Sequence, residues 1–314
     1  MESVQNLKKR LKSVANIKKI TKAMEVVAAT KMRKAQEVAL GSRPYAFSAL
    51  DLLKSLSLLE KGDKDKTSEF LIQREVKTVL FVLVSSDKGL AGSFNSSVFK
   101  KFELHMKRDE DKYKNEEKVY IAVGEKSAMY LQKKKAPILK KFVKFGDHAD
   151  KDQVWSLADF IIQGYLDKKW DKVVVVSMHF RSALKQEPHI RRILPVDHDH
   201  VKDIIKALVP ETGKFANLVE KNDNESKGGS LEYLIEPSPE LVLESLAKHL
   251  LFIQIYHLIL EANAAEHSAR RMAMKTASDN AGELGDKLNL EYNKSRQAAI
   301  TKEIIEIVAG AEAS

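Results

Sequence analysis

The residues best placed to do chemistry form one run, Ser85-Ser86-Asp87-Lys88-Gly89-Leu90-Ala91-Gly92-Ser93-Phe94-Asn95. It follows an apolar, β-branched stretch and opens a helix-forming one. That is where a nucleotide-binding α/β fold holds phosphate on backbone N–H groups. The spacing is neither G-x-G-x-x-G nor G-x-x-x-x-G-K-[ST], and no other stretch supplies such a loop. A structural turn is the plainer reading. His198 and His200 beside Asp197 and Asp199 could ligate a metal. They fall between a strand and a helix, so a solvated turn explains them more simply. The chain has no cysteine, which excludes disulfides, a thiolate nucleophile and any Cys-based metal site. No Ser, His and carboxylate stand at a recognisable family spacing, although such triads are set by geometry. Lys133, Lys134, Lys135, Lys140, Lys141 and Lys144 form a basic patch without aromatic interleaving. It reads as a solvated face first and a site for anionic headgroups second.

These residues must be positioned by the middle of the chain. Residues 78–84 (TVLFVLV), 119–123 (VYIAV) and 173–176 (VVVV) are continuous apolar runs, as expected of strands buried on both faces. Helical stretches alternate with them at about 96–107, 125–135, 153–168 and 200–208. Strands alternating with helices imply crossovers and a largely parallel sheet. Residues 190–196 add an edge strand, with Pro195 near its end, and 231–236 a last strand. Lys221 to Ser230 reads as a polar loop without a functional assignment.

The two ends of the chain read differently. From about Pro239 to Gly310 the spacing and composition predict one helix of roughly 70 residues, on the order of 105 Å long. Such a helix needs a partner, because propensity alone leaves helices marginal in water. The only comparable segment is the N-terminus. There Val4, Leu7, Leu11, Val14, Ile17, Ile20, Met24 and Val27 form the expected apolar stripe. Gly41 and Pro44 predict a break, residues 45–59 more helix, and 61–66 a connector. The fold class is therefore α/β: a long antiparallel coiled coil of the terminal helices with an inserted Rossmann-like domain. The divisions are residues 1–60, 70–236 and 237–314.

Within the C-terminal helix, Asn280-Ala281-Gly282 and Gly285 mark close helix packing first and local compliance of the long helix second. Past Gln297 the apolar residues Ala298, Ala299, Ile300, Ile304, Ile305, Ile307, Val308 and Ala309 occupy nearly every side. A helix apolar all round is buried all round, so another chain must cover it. The net charge is +9, and residues 1–34 carry nearly all of it. Such a helix could face nucleic acid, anionic lipid or an acidic protein. The N-terminus lacks the apolar core of a signal peptide. The longest apolar run, LLFIQIYHLIL from Leu250, is too short to span a bilayer.

Two motifs carry a resemblance. The run from Ile300 to Ala311 (ITKEIIEIVAGA) and the run from Ile17 to Lys34 (IKKITKAMEVVAATKMRK) resemble the two signatures of the gamma subunit of F-type ATP synthases. The loop at Asp87 resembles the family's D-R-G-L-C-G-G-F-N, with Lys88 for Arg, Ala91 for Cys and Ser93 for Gly. The resemblance implies a non-catalytic central rotor stalk with no cofactor, coupling flow through the c-ring to conformational change in the catalytic beta subunits. The implied partners are the alpha and beta subunits, the epsilon subunit and the c-ring, and not nucleic acid. The implied partner-binding residues are Met24, Arg33, Lys34, Lys88, Arg270, Arg296, Gln297, Ile300, Thr301, Glu303 and Ile304. The implied place is peripheral, on the cytoplasmic face of a bacterial plasma membrane. A dinucleotide-binding enzyme and a basic coiled-coil adaptor are the alternatives, and neither accounts for the all-round apolar C-terminus.

Overall fold

The computed structural model describes residues 3–41, 69–70, 74–111, 113–145, 150–196, 236 and 239–312. The helices expected at 45–59 and 200–208, the connector at 61–66, the loop at 221–230, the strand expected at 231–236 except for residue 236, and the Asp197 to His200 cluster lie outside these residues. The elements in order are α1 (Val4–Gly41), β1 (Thr78–Val84), α2 (Phe94–Arg108), β2 (Glu117–Val123), α3 (Glu125–Lys133), β3 (Ile138–Phe142), α4 (Lys151–Leu166), β4 (Lys172–Phe180), β5 (Gln186–Leu194) and α5 (Pro239–Glu312). By contacts the chain divides into two units, Lys31–Ala269 and Met1–Thr30 with Arg270–Ser314.

In the larger unit the sheet order is β3-β2-β1-β4-β5. β1 pairs parallel with β2 and β4, and β2 parallel with β3, while β5 runs antiparallel to β4. The period of two sorts each strand's side chains between two cores. Leu80, Val82, Val84, Ile121 and Val175 pack with α4 and with residues 247–262 of α5. Val79, Phe81, Leu83, Ala122 and Val176 pack with α2 and α3. Both faces are therefore covered, which is why these strands read as unbroken apolar runs. The path moves one way from β1 through β2 to β3, then returns to the other side of β1 as β4. The helices of the outward and return paths lie on opposite faces, as a constant crossover hand requires.

β3 was not expected. Its sequence, ILKKF, is too short and too polar to show a buried run, and its centre is exposed. It is an edge strand, and lysines there block further strand pairing. Lys140 and Lys141 of the basic patch belong to it. The Lys140 ammonium lies 4.8 and 4.7 Å from the Phe142 and Phe160 ring centroids, so part of that patch is packed rather than merely solvated. The longest apolar run has a plain role as well. Residues 251–262 of α5 are the most buried helical stretch, with Leu251, Ile255, Leu258, Ile259 and Leu260 in the interior.

In the smaller unit α1 and α5 pair antiparallel. A Cβ on Gly285 would lie 3.8 Å from Val14, and one on Gly282 would lie 3.0 Å from Lys18 Nζ. Rising numbers on one helix therefore meet falling numbers on the other. The covered positions repeat every 3.5 residues: Leu7, Leu11, Val14, Thr21, Glu25 and Ala28 on α1, and Met274, Ser278, Ala281, Gly285, Leu288, Tyr292 and Ser295 on α5. Lys18 fills the gap in the first series by laying its stem on Gly282. That is a coiled-coil seam, and it supports the packing reading of the two glycines. The expected stripe is corrected. Ile17, Ile20 and Val27 are exposed, Ile20 by 60%. Their spacing averages about 3.3 residues, so the stripe slips around the helix by roughly 30° per step and leaves the partner's face.

Gly164 of α4 lies against the buried Trp170 indole, and a Cβ there would overlap the ring. Trp170 cannot swing away, because its Nε1–H donates to the Ile161 carbonyl at 3.1 Å. Gly164→Ala should lower the unfolding free energy by about 2 kcal/mol or more, read from urea denaturation of the chain.

Candidate partner-binding surfaces and the loop after β1

The loop after β1 spends its polar groups on itself and its neighbours. The Asn95 carboxamide oxygen accepts from the Ser86 N–H at 3.0 Å, and Ser86 Oγ donates to the Lys88 carbonyl at 2.7 Å. Asp87 accepts from the Glu125 N–H at 3.1 Å and the Lys144 N–H at 3.0 Å. It thus ties the loop to the start of α3 and to the segment that follows β3. Ser85 Oγ accepts from the Ser127 N–H at 2.6 Å and donates to the Val123 carbonyl at 3.3 Å. Gly124 has φ +89, and a Cβ there would overlap the Ser85 carbonyl. The backbone approach that a nucleotide loop makes to a phosphate is made here to another strand. Gly92 takes the positive φ that the turn requires.

The crevice beside this loop is also occupied. In a doubly wound sheet ligands sit at the carboxyl ends of the strands where the path reverses, here between β1 and β4. α5 covers the β4 side of that place. Its Ala262 belongs to one core and its Ala265 to the other, so the helix passes the end of β4. Glu261 reaches His179 Nδ1 at 3.0 Å and Arg191 at 3.5 Å. Ser268 Oγ donates to the Ala183 carbonyl at 2.7 Å and accepts from Gln186 Nε2 at 3.1 Å. Burial would raise the Glu261 pKa, but the His179 hydrogen bond and the Arg191 charge outweigh it and hold the carboxyl below its ordinary range. The His189 ring lies 5.0 Å from that of His179, tilted by 41°, and its pKa is lowered by burial first, with the neighbouring His179 and Arg191 adding.

Asp109, His105 (3.2 Å) and the Tyr113 hydroxyl (3.0 Å) also line up as a carboxylate–imidazole–phenol string. Tyr113 is buried, and desolvation first, with Asp109 and Glu116 adding, pushes its pKa up to about 12. A neutral, enclosed phenol is no nucleophile. Among the described residues no group of three or more His, Asp or Glu is placed to hold a metal, and no helix is long and apolar enough to cross a membrane.

The other candidate residues lie on surfaces. In the larger unit Arg33, Lys34 and Lys88 are exposed. In the smaller unit Met24 and Arg270 are half-buried, and Arg296, Gln297, Ile300, Thr301, Glu303 and Ile304 are exposed. Continuing the Val14–Gly285 register puts Met24 opposite residue 275 of α5. That is about 38 Å along the helix from Ile300, at 1.5 Å per residue. Met24 and the tip residues are thus two separate surfaces. The same register brings Val4 opposite Ser295. No described residue of α1 lies opposite 300–312, and Ile300 (43%), Ile304, Ile305, Ile307 (71%) and Val308 are all exposed. The structure adds Ile17, Ile20 and Val27, an exposed apolar face of α1 hidden in the sequence inside the supposed seam stripe.

A family model described as ATP synthase matches residues 3–313. The ATP synthase gamma chain of Opitutus terrae is 39% identical over 311 residues, covering 98% of each chain. That of Polynucleobacter asymbioticus is 38% identical over the full length of both. Among solved structures, a Euglena gracilis mitochondrial ATP synthase assembly of OSCP, F1 and c-ring contains a chain with TM-score 0.60 at 15% identity, covering 99% of this chain and 94% of that one. A Tetrahymena thermophila central stalk and c-ring gives 0.54 at 22%, covering 82% and 99%.

Two outcomes follow from the geometry. Adding millimolar ATP or NAD to the isolated chain should leave its thermal midpoint unchanged, because the loop after β1 has no free cradle; a rise of several degrees would contradict this. Glu261, with its folded pKa depressed, contributes stability that is present above the ordinary glutamate value and lost as pH falls through the folded one. Glu261→Gln should therefore be less stable than wild type at pH 7, and the gap should narrow as pH falls below the ordinary glutamate value, measured by urea midpoints.

Proposed function

The chain belongs to the ATP synthase gamma-chain family, and from that premise we propose that it is the central rotor stalk of such a synthase. It performs no bond chemistry itself. The C-terminal tip turns inside a collar of alpha and beta subunits. The α/β domain carries the epsilon subunit and rests on the c-ring. Ion flow turns the ring, and the asymmetric shaft drives each beta subunit through its nucleotide states. The assembly is peripheral on the cytoplasmic face of a bacterial plasma membrane. In this reading residues 1–60 and 237–314 are the shaft and 70–236 the inserted domain.

The observation that carries the proposal is the uncovered tip. Five large apolar side chains, Ile300, Ile304, Ile305, Ile307 and Val308, are exposed on several sides of the last turns of α5. Burying each would stabilise by roughly 1.5–3 kcal/mol. An apolar collar supplies that burial without directional bonds, so rotation inside it meets no fixed angle. The exposed apolar face at Ile17, Ile20 and Val27 supports a second contact farther along the shaft, beside Met24. Exposed cations suit the moving contacts. Solvent-exposed ion pairs are worth only about 0–1 kcal/mol each, whereas switching a beta subunit between 1:99 and 99:1 needs about 5.5 kcal/mol. Several weak contacts at Arg33, Lys34, Lys88, Arg270, Arg296 and Gln297 can make up that difference at one angle and release it at the next. Thr301 and Glu303 complete the tip's polar side.

Ile304→Asp tests the tip. It deletes an apolar contact and would bury an unpaired carboxylate in the collar. Recovery of the alpha–beta complex on the mutant should fall at least tenfold, while its circular dichroism matches wild type. Equal recovery would remove the main support for the proposal.

A further inference from the structure

We infer that Glu261 and Ser268 form a two-point clasp that fixes the rotational setting of α5 on the β4–β5 hairpin, and that through it twist passes between sheet and shaft. The inference rests on the rotor reading and names the positioning residues within it.

Residues 251–262 of α5 are held chiefly by Leu, Ile and Ala against the sheet and α4. Apolar contacts of this kind are strong but non-directional. They hold the helix on the sheet while choosing weakly among small rotations about its axis. Glu261 and Ser268 act differently. They stand seven residues apart, on one stripe of the helix and about 10 Å apart along it. Each grips a different part of the same hairpin. Glu261 meets the strands, at His179 of β4 and Arg191 of β5. Ser268 meets the turn, at the Ala183 carbonyl and the Gln186 side chain. Gln186 Nε2 also donates to the Ser182 carbonyl at 3.1 Å, so the turn itself is held closed. Two directional contacts along one line oppose both axial rotation and tilt.

His179 Nδ1 also lies 3.2 Å from Arg191. One ring nitrogen cannot donate to Glu261 and accept from Arg191 together. The buried carboxylate selects the Nδ1–H form, leaving Arg191 to reach the same Glu261 oxygen. His257, one turn earlier on α5, adds to the positive surroundings of Glu261, and Glu187 faces His189 on β5 at 3.6 Å. Stability alone does not explain why charge stands here. Replacing a buried ion pair by apolar residues of similar size is often neutral or stabilising. A directional lock is what such a replacement would remove.

The test uses the assembled synthase in sealed membrane vesicles, scoring protons pumped per ATP hydrolysed. The double variant Glu261→Leu with Arg191→Leu should keep the chain's urea midpoint at or above wild type and keep alpha–beta recovery. ATP hydrolysis should persist while the pumping ratio falls at least twofold against an opposing gradient. Ser268→Ala, a smaller change that leaves the core intact, should lower the ratio in the same direction. Leu258→Ala is the control: it weakens the core and lowers the midpoint but leaves the clasp, so its assembled complexes should pump at the wild-type ratio. Wild-type pumping by both clasp variants would overturn the clasp, as would an equal loss in Leu258→Ala. The rotor reading fails separately, if Ile304→Asp still recovers the complex in full.

Discussion

A helix of 74 residues is not held in water by its own hydrogen bonds, and the constraint on this molecule is that every stretch of α5 must be covered by something. Three stretches meet it in three ways. Residues 251–262 lie inside the α/β unit and are apolar. Residues 270–299 share a seam with α1, and there the fully buried positions, Met274, Ser278, Ala281 and Leu288, all lie in the seam. Residues 300–312 have no cover from the described chain and are nonetheless apolar. Composition tracks environment along the first two stretches. The third departs from that pattern, with its large apolar side chains exposed among the described residues.

The seam itself is thin. Large side chains appear in it at Leu7, Leu11, Met274 and Leu288, but Thr21, Ala28, Ser278, Ala281, Gly285 and Ser295 are small, and Glu25 is a buried carboxylate held by Lys22 at 2.9 Å. Small residues bring the two helices close and bury little area. The α/β unit is the opposite case, with two full cores and a clasp of charged and polar groups. The part that must be rigid under load is densely packed and directionally bonded.

Much of this was legible in the sequence and some was not, for physical reasons. Strands buried on both faces announce themselves as unbroken apolar runs, so β1, β2 and β4 could be read directly. β3 could not, because an edge strand has no second buried face to record. The long helix and its uncovered tip followed from the absence of proline after Pro239 and from apolar residues on every side. Ile17, Ile20 and Val27 do not mark the seam, because apolarity here does not follow the buried face. In fact Lys18, Thr21 and Glu25 hold those seam positions, and the isoleucines face outward. A repeat of 3.5 rather than apolarity was the usable signal. The clasp joins residues far apart in sequence, 82 apart at both His179–Glu261 and Gln186–Ser268, and no local pattern records such a pair.

In the proposed rotor this chain turns inside its partners, and that turning can be watched directly. Because the chain has no cysteine, Met129→Cys would place a single thiol on the exposed outer side of α3 for a rigidly attached optical label. With the alpha–beta complex fixed to glass, ATP should drive the label through unidirectional steps that stop when ATP is removed. A label that keeps a constant angle while the complex hydrolyses ATP would contradict the account.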